Sequence, residues 1–75
     1  MPKLPRIPAR EAIAALERMG FVQVRQRGSH ILMRKISPEG DCGCVVPLHR
    51  ELAVGTLRGV LRQAGVSPEE FIRNL

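Results

Sequence analysis

The strongest constraint on the fold is a pair of strand-like runs, residues 21–27 and 30–35, which flank Gly28-Ser29. Glycine followed by a small polar residue suits the two loop positions of a tight hairpin turn. The sequence therefore predicts a β-hairpin whose register is set by this turn. The predicted opposite pairs are Arg27 with His30, Arg25 with Leu32, Val24 with Met33, and Val22 with Lys35.

This register divides the hairpin into an apolar face and a basic face, because directly opposite residues point to the same side of an antiparallel sheet. A register shifted by one residue would put an arginine or His30 into the core. The apolar face is predicted to carry Val22, Val24, Ile31 and Met33. The open face is predicted to carry Gln23, Arg25, Arg27, His30 and Arg34, with Leu32 as its only apolar member.

The segment before the hairpin predicts an α-helix over residues 9–19, since small and apolar residues recur there at helical spacing. Gly20 is expected to end this helix in a left-handed conformation, with Phe21 folding back onto it. Residues 1–8 contain three prolines and two basic residues and predict a partly ordered basic arm. A single domain is therefore predicted over residues 9–75.

The second half of the chain supplies a third strand and two helices. Residues 36–43 predict a loop, and residues 44–46 predict a short strand at a sheet edge, ended by Pro47. Thr56 is the expected N-cap of a second helix, and Ser67 that of a short third helix. The resulting α-β-β-β-α order, with a short C-terminal helix, predicts an α+β fold in which helices cover one face of a three-stranded antiparallel sheet.

Composition narrows the class of partner. Twelve Lys and Arg against seven Asp and Glu give a formal net charge of +5, which favours nucleic acid or an acidic protein. The chain has no Trp or Tyr, although exposed aromatic rings are the usual stacking platform for single-stranded bases. The longest apolar run, residues 12–16, is far shorter than the roughly 18 residues that cross a bilayer. We therefore expect a cytoplasmic protein with no membrane contact.

His30 among arginines is the candidate for chemistry. Cleaving RNA needs a base for the proton of the ribose 2′-hydroxyl, and imidazole suits that task at neutral pH. Arg25 and Arg27 would hold the scissile phosphate and offset its developing charge. The carboxylates show no metal-ligand spacing, so we expect neither a metal nor another cofactor. On the residues alone, a solvated basic face that happens to contain a histidine stays an open alternative.

Several motifs in a fixed order resemble the HicA family of toxins from toxin–antitoxin pairs. They are Gly20-Phe21, the stretch from Arg25 to His30, Pro47-Leu48-His49, and the stretch from Gly55 to Gly65. The resemblance continues through the Glu70-Phe71 tail, so it covers nearly all of the chain after Pro8.

The resemblance implies a fold similar to the double-stranded-RNA-binding domain and the activity of an mRNA interferase, the toxin of a type II pair. The family's single essential histidine corresponds to His30. The implied partners are an mRNA substrate and a HicB-type antitoxin that covers this face, with a monomer when free and a hetero-oligomer when neutralised. The residues expected to contact RNA are Arg25, Arg27, Gly28, Ser29, Arg34, His49, Arg58 and Arg62.

Other residues keep two interpretations each. His49 either donates a proton or contacts RNA, or it satisfies a backbone carbonyl. Arg58 and Arg62 share a helix face and either grip phosphates or keep that face solvated. Cys42 and Cys44 are expected to be free thiols, because a disulfide between residues two apart would be strained, and with His49 they form only an incomplete zinc set.

Two non-catalytic functions also stay open. A basic sheet without stacking rings suits a module that binds duplex RNA by its shape and phosphates. The same charge suits a domain that docks an acidic protein.

Overall fold

The computed structural model describes residues 3–75. These residues form three helices and an open antiparallel sheet with the strand order β1-β2-β3. The elements in chain order are α1 (Ala9–Arg18), β1 (Val22–Arg27), β2 (His30–Ser37), β3 (Gly40–Pro47), α2 (Val54–Ala64) and α3 (Pro68–Arg73). This arrangement confirms the predicted α+β layout, similar to the double-stranded-RNA-binding domain, with β3 at a sheet edge.

Helix α1 ends as predicted. Gly20 has a φ of 102°, in the left-handed region that glycine adopts readily. The backbone N–H of Phe21 donates to the Leu16 carbonyl at 3.0 Å, and that of Gly20 donates to the Glu17 carbonyl at 3.0 Å. These two bonds satisfy carbonyls that the helix itself leaves free, and the chain turns directly into β1.

The two predicted N-caps have different outcomes. The Ser67 hydroxyl accepts a hydrogen bond from the backbone N–H of Glu70 at 3.1 Å, which confirms the start of α3. The prediction that Thr56 caps α2 is wrong, because that helix already begins at Val54. Leu52 is held in a β-bridge, so the chain leaves that bridge and enters the helix directly. Here the tertiary contact overrides the capping preference of threonine.

The helices pack on one face of the sheet. Along β2, Ile31 and Met33 are buried, whereas the residues between and beside them are partly or fully exposed. The same alternation along β3 buries Cys44 and Val46. The largest fully buried side chains, drawn from both layers, are Phe71, Leu16, Met33, Leu52, Leu57, Leu61 and Val46.

The first hairpin has the predicted register only near its turn. Arg27 lies opposite His30 and Arg25 opposite Leu32, but the register then shifts between Gln23 and Arg25. Val24 is the extra residue of this β-bulge, so Val22 pairs with Arg34 and Gln23 with Met33. The predicted pairs of Val24 with Met33 and Val22 with Lys35 are therefore wrong. The predicted burial of Val22 and Val24 is also wrong, since they are 57% and 51% exposed.

Strand β1 accommodates the bulge because it is an edge strand with one neighbour. Its six residues are all exposed, and the sheet contacts of α1 and α2 centre on β3. Gln23 and Gln26, which pair with Met33 and Ile31, therefore occupy helix-side positions in contact with water, so the prediction that Gln23 lies on the open face is wrong. The alternating positions of Val22 and Val24 are therefore not evidence that this strand is buried.

The second hairpin is longer than predicted. Residues 36–43 are not a loop: β2 continues to Ser37, β3 begins at Gly40, and only Pro38-Glu39 form the turn. The Ser37 hydroxyl donates to the Gly40 carbonyl at 2.7 Å across this turn. The residues typical of turns in this segment lie at an exposed end of the sheet. There the strands do not alternate apolar and polar residues, so the sequence pattern does not predict them.

The described part of the N-terminal arm is packed. Leu4 and Ile7 are buried, and the backbone N–H of Leu52 donates to the Ile7 carbonyl at 2.7 Å. Residues 3–8 of the predicted arm therefore pack against the rest of the domain, and Ile7 has the extended conformation of an isolated β-bridge. Met1 and Pro2, the first residues of the predicted arm, lie outside the described residues.

Replacing Ile7 by alanine tests this packing. Ile7 is 7% exposed, so Ile7→Ala should lower the free energy of unfolding by about 2 to 4 kcal/mol, as for other buried aliphatic truncations. Ile36→Ala is a matched control, because Ile36 is 77% exposed and its truncation should change stability by less than about 0.5 kcal/mol. Urea unfolding measures both, and equal effects would mean that residues 3–8 contribute no packing.

Candidate nucleic-acid interface

The turn between β1 and β2 presents His30 to solvent. Gly28 has a φ of 60°, so the first turn position requires a residue that tolerates the left-handed region. The Gln26 side-chain amide donates to the Gly28 carbonyl at 3.1 Å and braces the turn. His30 follows Ser29 directly, is exposed, and pairs with Arg27 on the face away from the helices.

A small cleft surrounds His30 on this open face. It has a volume of about 200 Å³, and it is lined by basic side chains and by an aliphatic floor. Leu32 and Val45 are direct partners across β2 and β3 and supply the floor. The lining residues are Arg25, Arg27, His30, Leu32 and Val45. The structure therefore brings together three residues that the sequence assigned to RNA.

The arginines differ in whether they already have an anionic partner. Within residues 3–75, the ion pairs are those of Arg6 with Glu51 and of Arg34 with Asp41. The Arg34 Nη2 to Asp41 Oδ2 distance is 2.7 Å, which is a charge-assisted hydrogen bond. Arg25 and Arg27 have no carboxylate partner in this part of the chain, so their guanidinium groups are free to bind an added anion.

The segment after β3 lies against the turn. Pro47 pairs with His30, and the backbone N–H of Leu48 donates to the Ser29 carbonyl at 2.7 Å. The His49 carbonyl accepts a hydrogen bond from the backbone N–H of Ala9 at 3.1 Å. His49 is thus near the turn along the chain, but its side chain lines a separate groove rather than the His30 cleft. A role in proton donation stays a prediction.

Arg58 and Arg62 are not brought to the cleft. The side-chain oxygen of Gln63, on the same helix, accepts the backbone N–H of Val45 at 3.1 Å, so that flank of α2 faces the edge of β3. At about 100° per residue, Arg62 lies roughly 100° and Arg58 roughly 140° around the helix from Gln63. Both are exposed, and they lie on another side of this helix from the flank that faces β3.

Two further arginines, Arg10 and Arg50, line the groove that includes His49. Sequence reasoning missed them because each is a single basic residue with no motif around it. Arg10 and Arg50 are brought together by the hydrogen bond between Ala9 and His49, which no local sequence pattern predicts.

The cysteines and the histidine do not form a metal site. Among the described residues, no three His, Cys, Asp or Glu side chains are grouped closely enough to hold a metal ion. Cys42 is exposed and Cys44 is buried, and both thiols are free, as predicted. Burial raises the pKa of Cys44 to about 11 because the thiolate would lose its hydration. In addition, none of the described helices is long and apolar enough to cross a bilayer.

Comparison with known proteins identifies the family of this chain. A family model described as the HicA toxin of bacterial toxin-antitoxin matches residues 9–66, more than half of the chain. The chain belongs to the HicA toxin family. This membership assigns it the toxin role in a bacterial toxin–antitoxin pair, and the matched region includes the His30 cleft. No curated protein matches the chain.

The two thiols of this HicA family member should differ in reactivity. The thiolate is the nucleophile towards a disulfide reagent, and the raised pKa and burial of Cys44 both reduce its reaction. At pH 8 we expect one equivalent of thiol, Cys42, to react rapidly, and a second only after unfolding in urea. Absorbance of the released thiol measures this. In Cys42→Ser the rapid phase should vanish, and two rapid equivalents in the unsubstituted protein would contradict the packing.

Proposed function

We propose that this protein is an endoribonuclease, an mRNA interferase that uses His30 to cleave RNA without a metal or other cofactor. The observation that carries the proposal is the exposed His30 beside two arginines that have no carboxylate partner among residues 3–75, in a cleft of about 200 Å³. Membership of the HicA toxin family supports a toxic activity but leaves the reaction open. The residues of the cleft support the specific mechanism proposed here.

In this mechanism, His30 acts as the general base. Its imidazole takes the proton of the ribose 2′-hydroxyl, and the resulting oxygen attacks the adjacent phosphorus. The bond from phosphorus to the 5′-oxygen breaks, which leaves a 2′,3′-cyclic phosphate and, after protonation, a free 5′-hydroxyl. His49 lines the neighbouring groove and not the cleft, so of its two predicted roles we propose the RNA contact rather than proton donation.

The arginines supply charge where the phosphate gains it. Arg25 and Arg27 would bind the two non-bridging oxygens and stabilise the additional negative charge of the transition state. Gly28 and Ser29 set the turn that aims the imidazole outward. Arg34 would contribute less, because it would first have to give up its bond to Asp41.

A HicB-type antitoxin is the proposed regulator. Its docking over the open face would block access to His30, and the net charge of +5 favours an acidic partner surface. The free toxin would be a monomer and the neutralised form a hetero-oligomer. Messenger RNA as substrate would place this activity in the cytoplasm.

The decisive experiment compares the unsubstituted protein with His30→Ala on RNA in the presence of a chelator. Loss of a general base typically costs about 10² to 10⁴ in rate, so cleavage should fall at least 100-fold while RNA binding is retained. End-group analysis of the products should show a 2′,3′-cyclic phosphate and a 5′-hydroxyl. His49→Ala, a matched histidine deletion outside the cleft, should slow cleavage less.

The rival function is a non-catalytic module that grips duplex RNA. It is favoured by one observation: both aromatic side chains, Phe21 and Phe71, are buried, so neither can stack on a base. Intact RNA with both proteins, together with salt-sensitive binding to duplexes, would support this rival and exclude the nuclease. Unimpaired cleavage by His30→Ala would remove His30 from the mechanism.

The arginines of the open face should not be equivalent in catalysis. Arg25→Ala and Arg27→Ala should each reduce the single-turnover cleavage rate by about tenfold or more, because each removes a free cation beside the reacting phosphate. Arg34→Ala should have a smaller effect, since its charge is already partly neutralised by Asp41. A larger loss in Arg34→Ala than in the other two would place the scissile phosphate elsewhere on the sheet.

A further inference from the structure

A second and larger depression lies between the start of α1 and the segment that follows β3. It is an open groove of about 480 Å³, and three of its lining residues are basic. Proline and leucine side chains complete its walls. The lining residues are Pro8, Ala9, Arg10, Leu48, His49 and Arg50.

This groove lies beside the turn that carries His30, because Leu48 contacts both. The backbone N–H of Leu48 is bonded to the Ser29 carbonyl, one residue before His30, at 2.7 Å. Leu48 is also a wall of the groove, and Arg50 follows it by two residues, so their Cα atoms are at most about 7 Å apart. An RNA strand that passes from the cleft over this turn would therefore come close to the groove.

The charge in the groove is not neutralised by the described protein. Glu51 is the carboxylate next to Arg50 in sequence, but its ion pair is with Arg6 at 3.9 Å. Within residues 3–75, neither Arg10 nor Arg50 has a carboxylate within ion-pairing distance. Two exposed and unpaired guanidinium groups facing one groove favour an anionic ligand there.

We propose that this groove is a second RNA subsite, which binds the phosphate of a nucleotide that flanks the cleavage point. Arg10 and Arg50 bind the phosphate, and the apolar side chains of Pro8 and Leu48 contact the attached sugar or base. The subsite rests on the proposed function, because it places one strand across both depressions. Arg10 and Arg50 are positioning residues, since they lie outside the cleft in which the bond breaks.

Binding measurements in the His30→Ala background test the subsite without cleavage. For an RNA oligonucleotide long enough to span both depressions, Arg10→Gln and Arg50→Gln should each weaken binding about twofold to fivefold, the range of solvent-exposed ion pairs. The double variant should also flatten the plot of log K against log salt by about 0.7, the contribution of one phosphate on a single strand.

Arg73→Gln is the matched control. It changes the net charge by the same amount, and it lies in the last turn of α3. There, Arg18 at the far end of α1 donates to the Asn74 carbonyl at 2.6 Å, whereas the groove is at the start of α1. This variant should leave both the affinity and the salt slope unchanged. An equal effect of all three substitutions would show only a general charge effect and would overturn the subsite.

Substrate length separates this inference from the proposed function. With His30 intact, the Arg10→Gln and Arg50→Gln pair should raise KM on the long oligonucleotide and leave cleavage of a dinucleotide unchanged. If both substrates are cleaved and the two substitutions have no effect on either, the subsite proposal is wrong and the proposed nuclease activity stands. No cleavage by the unsubstituted protein would instead reject the nuclease. If the two substitutions leave RNA binding unchanged but weaken docking of the antitoxin, the groove binds protein rather than RNA, and the subsite proposal is wrong.

Discussion

Ile31 and Met33 point into the core, and the pleat of β2 therefore turns His30, Leu32 and Arg34 to the opposite side. This alternation couples the hydrophobic core to the candidate site, because a slip of one residue would exchange the two faces. Burial of Met33 beneath the helices is thus what holds the imidazole outside. A chain of 75 residues has enough apolar side chains to cover one face of such a sheet, and the uncovered face is available for binding.

The turn that carries His30 is also held from outside the hairpin. Its Ser29 carbonyl is bonded to Leu48, the next residue His49 is bonded to Ala9, and Leu52 is bonded to Ile7. Three backbone hydrogen bonds thereby tie the turn to the segment after β3 and that segment to the N-terminal residues. The packed N-terminal segment has a functional consequence, because it positions both walls of the basic groove. Backbone contacts of this kind are independent of side-chain identity, which explains why no sequence motif reveals them.

Local patterns predicted those parts of the molecule in which a single short-range interaction decides the conformation. The turn at Gly28, the left-handed end of α1 at Gly20 and the N-cap at Ser67 are such cases, and all three agree with the structure. The errors occur where neighbours in space decide. Val24 falls in a bulge that an edge strand tolerates, and Thr56 is overruled by the bridge at Leu52.

The candidate site shows the same division. Arg25, Arg27 and His30 follow from the hairpin register near its turn, and the structure assembles them in one cleft. The sequence does not pair Asp41 with Arg34, because it predicts a loop at Asp41, whereas the structure has Asp41 in β3, the strand next to that of Arg34. Arg10 and Arg50 are separated by 40 positions in the chain, and only the folded backbone brings them to one groove.

The aliphatic floor of the cleft affects how strongly its arginines interact with an anion. Leu32 and Val45 lie beside Arg25 on the same face of the sheet, so a phosphate held above them would have apolar protein rather than water on one side. Coulomb interactions strengthen as the effective dielectric constant falls, so Arg25 and Arg27 would stabilise an added negative charge more than arginines on a flat wet surface. The exposed position of His30 alone provides no such advantage. The combination of free guanidinium groups with an apolar floor therefore distinguishes this face from an ordinary solvated basic surface.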